Sequence, residues 1–386
     1  MTSILAQRCC SYPPLSPLLD MKSLPPIFLC LAVLFRLVPS LSPAYLPCQL
    51  QEPTGESALA GCPEGTLYVS STDPTADFSS VQEAINILPD TGKAVILIGK
   101  GQYFEMVNVT RCAPLVLLGQ LDPTTAFIQA GNASQRNLVH IWNNLYVKDG
   151  MTDEETATLT VRTSHGRNVD FKAYNIDFEN RAANYSISQA LVTAITRANA
   201  SFYGCTFASW QDTWYTGHGG NTYVVDSIIY GQTDYLFGSG TAWFKSVILA
   251  NRGCGGGITA WRGTPGTTNG IYIANSSIIR SPDVGSTIVT TGRCSLGRPW
   301  NKYAVAIFLH NYMDDSIRPS GFIAWAEVGP VPNTTFYAEF DSYGPGGNTS
   351  ARVKQDHILS LEGSQAYRLE AVFQETPGWI DFGYCY

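Results

Sequence analysis

The chain has 386 residues, 45% of them apolar and only 14% charged, which excludes a disordered chain. Its net charge of −7 leaves no basic excess to neutralise phosphates, so a nucleic-acid partner is not expected. The 35 Gly, 22 Pro and 20 Tyr against 5 Met predict many short strands and turns, and the lack of long Ala/Glu/Lys/Leu runs excludes a bundle or coiled coil.

In chain order, the first feature is the apolar run IFLCLAVLF at residues 27–35. It is too short to cross a bilayer, which takes about 20 residues. It fits the core of a secretory signal, about 7–15 residues long. Lys22 directly after Met21 supplies the positive end, and Ser42-Pro43-Ala44 supplies small residues for an exit. Residues 1–44 therefore read as a signal region cleaved near Ala44, with Met21 as a candidate true start. Residues 45–66 read as an N-terminal lead and 67–386 as one domain. Removing 1–44 takes the 24 basic and 31 acidic residues to 21 and 30, a net of −9. Seven cysteines then stay: Cys48, Cys62, Cys112, Cys205, Cys254, Cys294 and Cys385. An odd number leaves at least one outside intrachain pairs, and Cys48 with Cys62 is the pairing expected near the mature start. Seven Asn-x-Ser/Thr sequons, at Asn108, Asn132, Asn184, Asn199, Asn275, Asn333 and Asn348, predict surface glycosylation in the secretory route.

Leu67-Tyr68-Val69 reads as a strand. A helix is predicted over 80–88, because Ser80 and Glu83 form a capping-box pattern and Val81, Ala84, Ile85 and Leu88 share a face. Pro89 stops it. AVILI at 94–98 and LVLL at 115–118 are short buried strands. From 170 onward one phrase recurs: a small polar or charged turn residue, two steps, then Ile or Phe. Its instances are Asn175-Ile176-Asp177-Phe178, Gly204-Cys205-Thr206-Phe207, Asp226-Ser227-Ile228-Ile229, Lys245-Ser246-Val247-Ile248 and Asn275-Ser276-Ser277-Ile278. A period in the twenties with β-branched residues favours a β-solenoid over an antiparallel sandwich. Its coils stack about 4.8 Å apart.

Three polar clusters interrupt this pattern: Ser188-Gln189-Ala190-Leu191, Trp210-Gln211-Asp212-Thr213-Trp214-Tyr215, and Gly231 to Gly238 (GQTDYLFG). Gln189 precedes Gln211 by 22 residues, and Asp212 precedes Asp234 by 22, so both pairs are expected to stack on successive coils. Two stacked carboxylates push their titrations apart, giving a proton donor and a nucleophile from one residue type. The aromatics Trp210, Trp214, Tyr215, Tyr235 and Phe237 would suit a sugar groove. Farther on, LGRPW (296–300) offers Arg298 as a fork for a carboxylate and Trp300 as a stacking surface. By contrast, Gly253 to Gly257 (GCGGG) reads as a tight loop and Asp153-Glu154-Glu155 as a solvated turn.

Together these motifs resemble those of the secreted pectin methylesterases (pectinesterases) of fungi and plants. GQYFE (101–105) resembles G-x-Y-x-E, FKAYNIDFEN (171–180) the strand before the active site, QDTWY the family's QDTLY, and GQTDYLFG its GTVDFIFG; LGRPW is identical. The resemblance covers the chain from about Tyr68 to the C-terminus. It implies an all-β fold, a single-stranded right-handed parallel β-helix with a short N-terminal capping helix, and hydrolysis of pectin methyl esters with release of methanol. It implies Asp234 as nucleophile, Asp212 as proton donor and later base, Gln189 and Gln211 as oxyanion stabilisers, and Arg298, Trp300 and Tyr235 as substrate-binding. Trp214, Thr233, Tyr235 and Leu236 stand where the family has Leu, Val, Phe and Ile, and Ser295 where Tyr is often found. No cofactor and no metal site is expected, and the partner is methyl-esterified homogalacturonan. A secreted, extracellular monomer, free of membrane after signal removal, is expected. The alternatives are a polygalacturonase-type glycosidase, for which Gly217-His218-Gly219 and Asp314-Asp315 stand in reverse order without the companion motifs, and a non-catalytic pectin-binding wall protein. A pectate lyase would need a calcium-binding acid cluster, which the sequence lacks.

Overall fold

The computed structural model describes residues 42–50, 57–124, 126, 137–163 and 165–384. The run 27–35, Asn132 and Cys385 lie outside the described residues. Three sheets of eleven, seven and eight strands run side by side. Through the middle of the chain a coil adds one strand to each sheet: Asn168–Tyr174, then Ile176–Asn180, then Thr193–Thr196, before Ala198–Tyr203 opens the next coil. Strands from successive coils pair in parallel, with Tyr203 opposite Val225 in the eleven-stranded sheet and Phe207 opposite Ile229 in the eight-stranded one. The fold is a parallel β-helix.

The recurring phrase marks a corner of this helix. Asn175, Gly204, Asp226, Ser246, Asn275, His310 and Asp341 each sit between a strand of the eleven-stranded sheet and the next element, all with φ between 49° and 60°. That left-handed region favours Gly, Asn and Asp, which is why those residues dominate the phrase. The fourth instance is shifted by one residue. Lys245 lies opposite Val225 and Ala274, so the corner falls on Ser246 and the inward residue is Leu249, not Ile248. Phe178, Phe207, Ile229, Leu249 and Ile278 form one inward column, with coil lengths of 29, 22, 20 and 29 residues. Apart from a shift between Ala198 and Ala200, where Ala198–Tyr203 pairs with Asn168–Tyr174, the strands of the eleven-stranded sheet hold register, so most of the variation falls in the connecting loops, including those that lead into the seven-stranded sheet.

Inside, rings stack along the axis. Phe178 and Phe207 lie parallel at 5.8 Å, and Trp214 meets Phe202, Phe207 and Phe244 edge-on at 4.8–5.4 Å. Burying each such ring contributes about 1.5–3 kcal/mol. Val81–Asn86 is the expected helix, ending two residues before the predicted Leu88, and it buries Val81, Ala84 and Ile85 in the same core. Ser80 accepts from the Glu83 amide at 3.3 Å as predicted. The acid that holds the helix start is Glu105, the last residue of GQYFE. Its carboxylate accepts from Ser80 Oγ at 2.7 Å and from the Val81 and Gln82 amides at 2.9 Å.

The outer face of the eleven-stranded sheet carries Tyr174, Tyr203, Tyr223 and Trp243, covered by Tyr45 and Cys48 from one end of the chain and Trp379, Ile380 and Tyr384 from the other. Cys48 and Cys62 form a disulfide, as expected, and Cys254 pairs with Cys294. Cys205 is buried with its thiol directed at the Ala173 and Tyr203 carbonyls, and Cys112 directs its thiol at the His165 carbonyl at 2.9 Å.

On the eight-stranded sheet the fold gathers His140, Asp177 and Glu179. His140 Nδ1 lies 3.0 Å from Glu179 Oε1 and 3.5 Å from Asp177 Oδ2, and Arg181 forks onto Glu179 at 2.8 and 2.9 Å. The hydrogen bond to Glu179 raises the His140 imidazole above its ordinary value, against the effect of burial. A histidine so raised stabilises the fold fully below about pH 6.5, and the contribution is lost as pH rises through the folded value. The melting-temperature gap between wild type and His140→Gln should therefore be wider at pH 5.5 than at pH 8.5. A gap that is flat, or wider at the alkaline end, would contradict this account of the cluster.

Candidate active site

The seven-stranded sheet presents the site. Its strands run, in spatial order, from Ser295–Pro299 through Gly257–Trp261, Leu236–Gly238, Trp214–Thr216, Thr193–Thr196 and Leu159–Arg162 to Val107–Val109. Trp214 lies opposite Leu236, which puts Asp212 and Asp234 in one column on successive coils, as their 22-residue spacing predicts. The Asp212 amide donates to the Thr233 carbonyl at 3.0 Å. Both aspartates have left-handed backbone, φ 59° and 47°, and both are buried. Asp tolerates this region better than most side chains, and such conformations concentrate at functional sites.

Asp234 is gripped from two coils. Arg298 Nε donates to Oδ1 at 2.9 Å and to Oδ2 at 3.1 Å, and Arg298 Nη2 also contacts Oδ2. The Gly257 amide donates to Oδ1 at 2.9 Å. The guanidinium itself stacks on Trp325, 4.1 Å from the ring centre. Asp212 has no such grip. Burial, then the charges of Asp234 and Asp153, push its carboxyl well above the ordinary range, with Arg298 opposing. The pair thus divides into a side chain locked in place by hydrogen bonds and a carboxyl group whose hold on its proton is strengthened.

The two glutamines flank this pair in the register expected. The Ala190 amide donates to the Gln211 carbonyl at 3.2 Å and the Val192 amide to the Thr213 carbonyl at 2.9 Å, so Gln189 lies level with Gln211; the step shortens to 21 only at Thr193, which lies opposite Trp214. Each glutamine is oriented by a serine. Ser186 Oγ donates to Gln211 Oε1 at 2.8 Å and Ser188 Oγ to Gln189 Oε1 at 2.7 Å. With the carbonyls so occupied, the NH2 groups face away from the serines as donors.

Outward from the sheet, Ala194, Tyr215, Phe237, Ala260 and Arg298 form one column. Tyr215 and Phe237 stack at 4.7 Å, Phe237 meets Trp300 at 5.9 Å, and Trp300 and Trp325 pack on the same cluster. Arg262 covers the Trp300 ring at 4.4 Å. This is an aromatic floor beside the acids.

Several expectations need correction. Tyr235 is not a substrate-binding residue: it is fully buried and its hydroxyl donates to Asn251 Oδ1 at 2.8 Å. Trp214 likewise belongs to the interior core, and Trp210 lies under Arg252 at 5.3 Å. Asp153–Thr156 is a 3-10 turn whose Asp153 carboxyl is raised by burial and then by Glu154, and whose charge reaches Asp212. It is part of the site's surroundings and not a solvated turn. The glycine loop is also part of the site, through the Gly257 amide. Asp314, offered by the glycosidase alternative, is a turn residue. Its carboxylate accepts from the Arg280 amide at 2.6 Å and the Ser316 amide at 2.9 Å.

The pectinesterase family model matches residues 67–372. A probable pectinesterase A of Neosartorya fischeri is 31% identical over 324 residues, covering 83% of this chain and 90% of that one. A probable pectinesterase/pectinesterase inhibitor of Arabidopsis thaliana is 34% identical over 290 residues, and this chain spans about half of its length. Among solved structures, the deglycosylated pectin methylesterase of Aspergillus niger superposes with a TM-score of 0.70 at 28% identity, over 84% of this chain and 98% of that one. A model match across most of the chain, joined to the same fold, shows that this chain belongs to the pectinesterase family, whose members are carboxylic ester hydrolases.

Proposed function

We propose that this chain hydrolyses methyl esters of galacturonate units in pectin through an acyl-enzyme on Asp234. The observation that carries the reading is the unequal pair: Asp234 gripped by Arg298 and the Gly257 amide, and Asp212 one coil earlier with its carboxyl raised well above the ordinary range by burial and neighbouring charge. An Asp234 oxygen attacks the ester carbonyl. The Gln189 and Gln211 amides donate to the oxyanion that forms. Asp212 gives its proton to the departing methoxide, which leaves as methanol. Asp212, now a carboxylate, takes a proton from water as that water attacks the acyl carbonyl; the uronate leaves and Asp234 is restored. Tyr215, Phe237, Trp300 and Trp325 offer rings to the sugar units. The test is methanol release from highly methylated pectin beside a reducing-end assay. Methanol without new reducing ends supports the esterase. New reducing ends without methanol would mean a glycosidase.

The mature chain acts outside the cell, and two features refine how it is delivered. Ser42 is fully buried, its Oγ donates to Asp381 at 2.6 Å, and its carbonyl accepts from the Tyr45 and Leu46 amides. Cleavage near Ala44 would remove it, so we propose that processing occurs before Ser42. N-terminal sequencing of the secreted protein should begin at or before residue 42; a start at Tyr45 would refute this. Glycans belong on Asn108, Asn184, Asn275, Asn333 and Asn348, all exposed. Among the described residues, no helix is long and apolar enough to cross a membrane.

A further inference from the structure

The run that leads to the Gly257 amide is held by backbone hydrogen bonds, from the Gly255 amide to the Gln232 carbonyl at 3.3 Å and from the Asp234 amide to the Gly257 carbonyl at 2.8 Å, with almost no side chains of its own. Residues 253–257 read GCGGG, so Cys254 is the only side chain in the run. Side chains in place of these glycines would crowd the segment that carries Asp234. A Cβ on Gly253 would fall 2.7 Å from Gln232 Oε1, on Gly255 2.2 Å from Thr233 Oγ1, on Gly256 2.9 Å from Asp234 Oδ1, and on Gly257 2.4 Å from the Thr259 carbonyl. The run therefore lies flat against the segment 232–234 that carries the nucleophile. Glycine also loses more conformational freedom on ordering than any other residue, so such a loop needs an anchor.

Cys254 supplies it. Its disulfide partner Cys294 opens the segment that leads, four residues on, to Arg298. Gly257 pairs with Ser295 and Ala260 with Arg298 across the same two strands. One covalent bond thus ties together the two elements that grip Asp234: the loop giving the Gly257 amide to Oδ1, and the strand carrying the guanidinium. The second disulfide, Cys48–Cys62, lies in the packing under the N-terminal segment and touches none of these groups.

We propose that the Cys254–Cys294 disulfide is a positioning element of the active site, holding the Gly257 amide and Arg298 together on the Asp234 carboxylate. Opening it slackens the grip on the nucleophile, so turnover falls while the aromatic floor that binds sugar is unchanged. Cys254 is partly exposed, so a dithiol such as dithiothreitol can open the bond. The disulfide takes up two electrons and two protons to give two cysteine thiols, and the dithiol is oxidised to its cyclic disulfide. The proposal rests on Asp234 being the nucleophile.

The test is kinetic. In Cys254→Ala/Cys294→Ala, assayed well below its melting temperature, kcat for methanol release should fall about 10- to 100-fold, the scale of a small misplacement of a reacting group, with KM within about twofold. Combined with Arg298→Lys, the loss should be smaller than the product of the two separate losses, because both act on one carboxylate. Cys48→Ala/Cys62→Ala should lower the melting temperature and leave kcat unchanged. If the double-alanine variant does not fold, graded dithiothreitol on the native enzyme serves instead, with thiol titration and methanol release followed together; activity should fall as the Cys254–Cys294 thiols appear. Unchanged kcat after opening this disulfide, fully multiplicative losses with Arg298→Lys, or an equal loss in the Cys48/Cys62 control would each overturn the proposal. Asp234→Asn separates the two readings. If it stays active, the nucleophile assignment fails; if it is dead while opening the disulfide changes nothing, only the positioning role fails.

Discussion

Asp234→Asn should abolish methanol release, a loss on the order of 10⁴–10⁶-fold, the range by which losing the nucleophile or its partners costs a hydrolase. Asparagine is the informative replacement because it tolerates left-handed backbone, and residue 234 sits at φ 47°. The corner should therefore survive, and Arg298 and the Gly257 amide keep one acceptor oxygen. What disappears is the attacking carboxylate, so no acyl-enzyme should form and no first-turnover burst of methanol should be seen. Arg298→Lys tests the same carboxylate from the other side. Lysine keeps the charge but loses both the planar fork across Oδ1 and Oδ2 and the stack on Trp325. A fall in kcat of about 10²-fold is expected, the scale of removing one preorganised electrostatic contact. Circular dichroism on both variants controls for folding. A folded Asp234→Asn that kept near wild-type turnover would require another nucleophile.

The corners explain what was legible before the structure and what was not. A left-handed residue between strands favours Asn, Asp or Gly, so the turns of this solenoid show in the sequence, and so does the 22-residue step from Asp212 to Asp234. The same number holds for Gln189 and Gln211, whose pairing also steps by 22. It drops to 21 only from Thr193 onward, a one-residue shift between Val192 and Thr193 that spacing alone does not show. Tyr235 shows a second limit. Alternation along a strand places neighbours on opposite faces, but the left-handed turn at Asp234 breaks that parity. Tyr235 and Leu236 both enter the core, while Phe237 faces out. Trp325 carries no motif and comes beside Arg298 only through folding. The glycine loop could not be recognised by side-chain chemistry, because its contribution is a backbone N–H. Ser186 and Ser188 were within reach: a hydroxyl one residue or one coil away from a glutamine is a ready donor to its carbonyl.

Asp212→Asn should separate catalysis from stability, moving them in opposite directions. Catalysis loses its proton donor and then its base, which typically costs about 10²–10⁴-fold, so residual turnover should survive where Asp234→Asn has none. Stability should rise at neutral pH. Burial, then the charges of Asp234 and Asp153, hold the Asp212 carboxyl well above the ordinary range in the folded state. In the unfolded chain it titrates near 3.9. Between those two values the folded protein carries a proton that the unfolded one has released, so wild-type stability falls as pH rises across the window. Below about pH 3.9 both states are protonated and this penalty vanishes. Asparagine is neutral throughout and never incurs it. Melting temperatures of wild type and Asp212→Asn should therefore be close at pH 3.5 and diverge by pH 7, with the variant the more stable. The same titration sets the alkaline limb of kcat/KM in the wild type, because the free enzyme must hold that proton to begin the reaction. If Asp212→Asn were less stable than wild type at pH 7, or if the gap closed on raising the pH from 3.5, the carboxyl would be ionised in the resting enzyme. Asp212 would then have no proton to give to methoxide, and the division of labour between the two aspartates would have to be reversed.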